Sequence, residues 1–273
     1  MRRKKDRLVV ITGAGSGIGA ALAGEAARAG ARLILAGRRK EALAETAAHL
    51  PAGSEPILVP ADITKAEGRL AIAEAVAGAG GALDMLINNA GAVRTGSIAG
   101  MTEAAVMEML LTNLAAPLLL SRDLLPFLKR AAAPRIVNVG SMFGDIAFPL
   151  FAAYSATKFG LRGLSDALRR ELAPDGVGVT YAAPRAVRTP AAQAFEELVE
   201  PFAMKLDDPA KVARRIWRAA EKQKRSVYPA GPERFFVLLQ RLVPGAVDGG
   251  LIKQFTAYRG VAAGGAEKEA RVS

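Results

Sequence analysis

The stretch "YSATKFG", Tyr154 to Gly160, sets a phenol and an ammonium four residues apart. On a helix, positions i and i+4 share one face, so Tyr154 and Lys158 would lie side by side. A phenol ordinarily titrates at about pH 10 and a neighbouring cation favours its ionised form, which would make Tyr154 a proton donor and acceptor near neutrality. The same spacing is common on exposed helices where it does nothing, so its meaning depends on its surroundings. A second pattern is "TGAGSGIG", Thr12 to Gly19, with glycines at 13, 17 and 19. Glycines permit a tight turn and let backbone N–H groups approach a pyrophosphate, whose charge a helix N-terminus favours. A Gly-rich turn without a ligand is the bland alternative. It loses ground because the motif follows the first strand of an alternating chain and opens a helix.

The elements that must position these residues are legible as apolar runs. "RLVVIT", "ARLILA", "PILVPA", "LDMLIN", "PRIVNVG" and "GVGVTYA" read as strands, and Ala-rich stretches with helical spacing lie between them at 18–30, 40–50, 65–79, 102–129 and 154–172. Such alternation predicts a single α/β domain, a doubly wound parallel sheet with helices on both faces, whose ligand lies beyond the carboxyl ends of the strands. Beyond residue 180 the sequence predicts a mobile segment over 189–205, a helix over 209–222, a short strand "SVYP" and an apolar stretch "ERFFVLLQRLVPGAV". The expected organisation is a basic tail at 1–6, a nucleotide-binding catalytic domain at 7–230, an apolar extension at 231–261 and a disordered end at 262–273.

Composition narrows the chemistry. The 273 residues include no Cys and a single His, His49, in a predicted helix end, so thiolate chemistry and Cys-built zinc sites are excluded and no metal is expected. The net charge of +11 is spread along the chain, with only "MRRKKDR" forming a run, and no aromatic-interleaved pattern accompanies it, so nucleic acid is not an expected partner. No segment reads as a signal peptide or reaches the length of a transmembrane helix, which predicts a cytoplasmic protein.

From about Arg7 to Thr189 the chain resembles the short-chain dehydrogenase/reductase family, whose glycine motif has this spacing. "NNAG" at 88–91 is similar to the family segment that supports the sheet and borders the adenine ribose, and Asp62 in "PADIT" matches the residue that meets the adenine ring. Asn113, Ser141, Tyr154 and Lys158 occur in the order of the family's catalytic tetrad. The resemblance implies a Rossmann-like fold and an oxidoreductase that interconverts a carbonyl and an alcohol. Its cofactor would be held by Gly13, Ser16, Gly17, Ile18, Gly19, Asp62, Ile63, Asn89, Ala90, Gly91, Tyr154, Lys158, Val187 and Thr189. Tyr154 would exchange a proton with the substrate oxygen, Ser141 would hold that oxygen, and Lys158 would depress the Tyr154 pKa and bind ribose hydroxyls. Asn113 lies within a predicted helix although Asn is a poor helix former, which fits the family's role of a kinked turn there.

After the second strand stand Gly37, Arg38 and Arg39, with no acid before Glu41. An acid there selects NAD, whereas Arg accommodates a 2′-phosphate, so NADP (NADPH) is expected over NAD, with Arg38 and Arg39 as its contacts. Arg185 replaces the glycine usual after the sixth strand; it would either bring a cation near the substrate or point to solvent. "MFGDIAFPLFAAY" and "TPAAQAFEELVEPFAM" predict an apolar pocket for a hydrophobic carbonyl or alcohol. Alternatives are a catalytically silent NADP-binding sensor or scaffold, and a lipid- or steroid-type dehydrogenase at a membrane surface, a partner weighed below protein contact. The resemblance also implies a homodimer or homotetramer.

Overall fold

The structure is a computed structural model that describes residues 7–270, with side chains described to residue 260. The basic tail expected at 1–6 lies outside the described residues. Seven strands form one wholly parallel sheet: β1 (Leu8–Thr12), β2 (Arg32–Gly37), β3 (Ile57–Pro60), β4 (Met85–Asn88), β5 (Arg135–Val139), β6 (Gly178–Ala182) and β7 (Ser226–Val227), in the order β3-β2-β1-β4-β5-β6-β7. Every residue of β1, β4 and β5 is buried, which is why these strands read as nearly continuous apolar runs rather than as alternations. Alternate side chains serve opposite layers. Val9 and Ile11 face α1 (Gly17–Arg28), α2 (Lys40–Ala48) and α8 (Pro209–Glu221), whereas Leu8 and Val10 face α3 (Ala66–Gly78), α5 (Ala116–Leu128) and α6 (Ala152–Glu171). Leu22, Ala23 and Ala26 of α1 pack on the layer of α8 that buries Val212, Ala213, Ile216 and Trp217. Arg7 donates to Glu221 at 2.6 Å, closing the same seam.

The strand order reverses between β1 and β4, so a crevice opens at their carboxyl ends, as expected of a doubly wound sheet. A buried polar line fixes the elements around it. Asn88 donates to Asn138 at 2.8 Å and to Ser121 at 3.2 Å, and Asn138 donates to Ser165 at 2.9 Å. It therefore joins β4 and β5 to α5 and α6.

Two expectations are refined, over 102–129 and in the apolar extension, and two are corrected. The helix expected over 102–129 is α4 (Glu103–Leu110) and α5 with a π turn, Leu111–Ala115, between them. This run, Glu103–Leu128, is long and apolar enough to cross a membrane, although no such segment was expected. Its Leu120, Leu124 and Leu128 are spent on the core. The segment expected to be mobile, 189–205, forms a 3-10 turn (Pro190–Phe195) and α7 (Glu196–Val199), because Leu198 and Phe202 are buried in an aromatic cluster. The apolar extension folds as α9 (Glu233–Leu242) and α10 (Pro244–Ala270), separated where Pro244 cannot continue the helix. The backbone of α10 is helical to Ala270; residues 271–273 lie outside the described residues.

Candidate active site

The glycine loop leaves β1 and enters α1 against the end of β4. Gly13 has φ +63°, and a Cβ there would come 2.8 Å from the Cα of Ala90, so only glycine fits. Gly19 packs behind the loop, where a Cβ would stand 2.1 Å from the Gly13 carbonyl oxygen. Asn89 donates to the carbonyls of Thr12 and Gly13 at 3.0 and 3.2 Å, and the Thr12 hydroxyl accepts from the backbone of Asn89 and Ala90 at 3.0 and 3.1 Å. Loop and "NNAG" segment are thus one rigid unit. The shape is a cradle that a side chain would fill, which suits a pyrophosphate passing close to backbone N–H groups.

A cleft of about 850 Å3 runs from this cradle to the aromatic cluster. Of the residues expected to hold a cofactor or substrate, all line it except Gly19 and Asn113. At one end Arg38 and Arg39 are exposed beside Asp62. Burial opposes the Asp62 charge, but hydrogen bonds from the Thr64 hydroxyl and backbone, with the Arg38 and Lys65 cations, outweigh it and hold the carboxyl below its ordinary value of 3.8. Val187 and Thr189 border the far side of the cradle. His49 is exposed at the end of α2, away from the cleft, as its sequence position implies.

The helical spacing of Tyr154 and Lys158 does bring them together. Both sit in the first half of α6, with the ammonium 5.6 Å from the phenol ring centre. Ser141 caps the turn after β5 and hydrogen bonds with the Tyr154 phenol, so hydroxyl and phenol converge on one point of the cleft. Asn113 sits in the π turn and is fully buried, its amide exchanging two 2.8 Å hydrogen bonds with the backbone of Ala92 and donating to Thr157 at 3.1 Å. It positions α6 and the floor of the cleft and touches no substrate space, which accords with the kink expected of it.

One electrostatic expectation is reversed. Within the polypeptide, burial pushes the Tyr154 phenol up to about 12, only partly offset by the bond to Ser141. Burial likewise lowers the Lys158 ammonium to about 8, its one hydrogen bond going to the Val139 carbonyl at 3.1 Å. Desolvation of both groups therefore exceeds any depression of the phenol by its neighbour.

Arg185 lines the cleft and does not point to solvent. It donates to Asp207 at 2.8 Å and pairs with Glu233 at the start of α9, so its cation is clasped between two carboxylates on the cleft wall. Its side chain is 18% exposed, too little for a solvent-facing residue. Tyr181, unmarked in the sequence, accepts from the Ser141 N–H at 3.3 Å and donates to the Ser141 carbonyl at 3.0 Å. Its ring fills the space left by Gly140 and Gly144, the one available signal for this contact. The apolar end of the cleft is built from Phe143, Phe148, Phe151, Phe195 and Phe202, with the Phe143 and Phe151 rings 6.2 and 6.4 Å from that of Tyr154.

Known proteins resemble this chain in sequence and fold. The family profile described as short chain dehydrogenase matches residues 7–199. An uncharacterized oxidoreductase of Bacillus subtilis, YxnA, is 32% identical over 256 residues, covering 91% of this chain and 72% of that protein. The crystal structure of a short-chain dehydrogenase from Streptomyces avermitilis superposes with a TM-score of 0.75 at 31% identity, covering 93% of this chain and 98% of that one. A short-chain dehydrogenase/reductase from Burkholderia phymatum, solved in complex with NAD, gives a TM-score of 0.79 at 27% identity over 88% and 95% of the two chains.

Proposed function

Because this chain belongs to the short-chain dehydrogenase/reductase family and is an NAD(P)-dependent oxidoreductase, we propose that it interconverts a carbonyl and an alcohol on an apolar small molecule, with NADPH preferred over NADH. The observation that carries the reading is the convergence of Ser141, Tyr154 and Lys158 between the glycine cradle and an aromatic wall.

A nicotinamide cofactor, when bound, exchanges hydride with the substrate carbon. The protein's part is to hold and move the proton. Tyr154 keeps its proton through neutrality and sits beside Ser141, so in reduction it gives that proton to the carbonyl oxygen that Ser141 orients. The phenolate left behind is stabilised by Lys158 and reprotonated from water; oxidation reverses each step. Asp62, the glycine cradle and Lys158 would hold the adenine, pyrophosphate and ribose portions. Arg38 and Arg39, with no acid before Glu41, support a 2′-phosphate as the preferred group. The five phenylalanines support an aromatic or aliphatic substrate. Exposed Met107, Leu111, Leu118 and Phe159, on α4, the π turn, α5 and α6, support a homo-oligomer.

The test is a panel of apolar ketones, aldehydes and alcohols, followed by the absorbance of reduced nicotinamide. Tyr154→Phe keeps the ring, so it should bind NADPH as the parent does and lose about a hundred- to ten-thousand-fold in turnover. Turnover at the parent rate would remove Tyr154 from the chemistry.

A further inference from the structure

Helix α9 has two apolar faces. Val237 faces inward, buried against Met142, Tyr181 and Ala183 behind the catalytic turn. Phe235, Leu238 and Leu242, at i, i+3 and i+7, face outward and are 62, 52 and 70% exposed, and Val243 after α9 and Ile252 on α10 are exposed as well. Apolar residues gathered on one helical face, rather than scattered singly, mark an interaction surface. Between them, Phe236 lines the cleft, so this surface borders the mouth of the active site.

The occupant is indicated by charge and shape. From 233 to 260 the exposed ionic side chains are Arg234, Arg241, Lys253 and Arg259 against Asp248, with Arg241 shared with Asp145 and Glu233 only partly exposed beside Arg185. Arg241 also lies 3.6 Å from Asp145, a second tie of α9 to the body. A second copy docked here about a two-fold axis would bring two faces of the same net positive charge together. An anionic lipid surface would instead match these cations while receiving the apolar face. Together α9 and residues 244–260 are long and apolar enough to cross a bilayer, but they bend by 115°. A pair so bent, with α9 pinned to the body, suits a helix lying in the interface plane rather than a span.

We propose that the outward face of α9 and the adjoining start of α10 form a docking surface for a bilayer bearing anionic headgroups, with the cleft mouth beside it. The full chain should co-sediment with vesicles of phosphatidylcholine and phosphatidylglycerol in equal parts, and less with phosphatidylcholine alone. The exposed-face triple variant F235D, L238D and L242D should retain NADPH binding and bind the mixed vesicles about tenfold more weakly or worse. A second variant, R234E with K253E and R259E, leaves the apolar residues in place and should show a comparable loss on mixed vesicles. The proposal is overturned if the parent stays in the supernatant, or if either folded variant pellets like the parent. It is equally overturned if light scattering shows the parent to be a dimer that the triple variant dissolves without loss of vesicle binding.

Discussion

Replacing Lys158 by Met should make the protein more stable while disabling it. Lys158 is 4% exposed, and burial lowers its ammonium from 10.5 to about 8. At about 1.4 kcal/mol per decade, a depression of that size sets the penalty for charging it in the fold on the order of 3 kcal/mol. Met has nearly the same length, needs no solvation, and gives up the bond to Val139, a loss of about 1 kcal/mol, while a thioether against the Tyr154 ring stands in for the ammonium's contact there. The net gain at pH 7 is then roughly 2 kcal/mol, which for a chain of this size raises the melting temperature by about 4 to 8 °C. The sign with pH follows from linkage. Because the folded pKa lies below the unfolded one, the unfolded chain holds more protons between about 8 and 10.5, and parental stability rises across that window relative to the variant. The advantage of Lys158→Met should therefore be complete below pH 8 and vanish above 10.5, where only the lost hydrogen bond remains. Urea unfolding of the cofactor-free proteins by circular dichroism, at several pH values, measures the difference directly. A variant less stable than its parent at pH 7, or a difference indifferent to pH, would refute the reasoning.

Two further outcomes are expected. Arg38→Ala should narrow the preference for NADPH over NADH by roughly ten- to a hundredfold, the equivalent of about 1.5 to 3 kcal/mol for a charge-assisted phosphate contact; calorimetric titration showing equal parental affinities would remove that role. Arg185→Gly should lose about 1 to 3 kcal/mol in urea unfolding at neutral pH, because Asp207 and Glu233 are left without their cation at a water-accessible wall. It should also broaden the accepted substrates as α9 loosens, with NADPH affinity unchanged, and an unaltered unfolding midpoint would show the clasp to be without consequence.

What the sequence disclosed is what local pattern can carry. Strands buried on both faces announce themselves as apolar runs, and Gly13 and Gly19 are demanded by a loop that must pass close to its neighbours. Tyr154 and Lys158 needed only helical spacing to be placed together. The partners of Arg185 could not be read, because Glu233 lies 48 residues away on an element whose packing no local pattern reveals. The same holds for Tyr181 on Ser141 and for Asn138 on Ser165, ordinary strand and helix residues until the sheet brings them into register. The direction of the Tyr154 shift is hidden from the sequence for a related reason. Spacing shows that a cation is near, but the desolvation that opposes it in a half-buried cleft residue is a property of the whole fold. Residues 189–205 looked mobile because their apolar side chains follow no period, yet Leu198 and Phe202 are anchored one by one.

The seam between α1 and α8 bears on how the chain is made. Arg7 and Glu221, which close it, are 214 residues apart. At ribosomal rates of about 5 to 20 residues per second, the nascent α1 waits roughly 10 to 40 seconds for the helix that covers it. During that interval Leu22, Ala23 and Ala26 stand open to water with β1 and β2 beside them. Newly made chains are thus vulnerable to association through their first sixty or so residues, and chaperone capture during translation should fall there and cease once α8 has emerged.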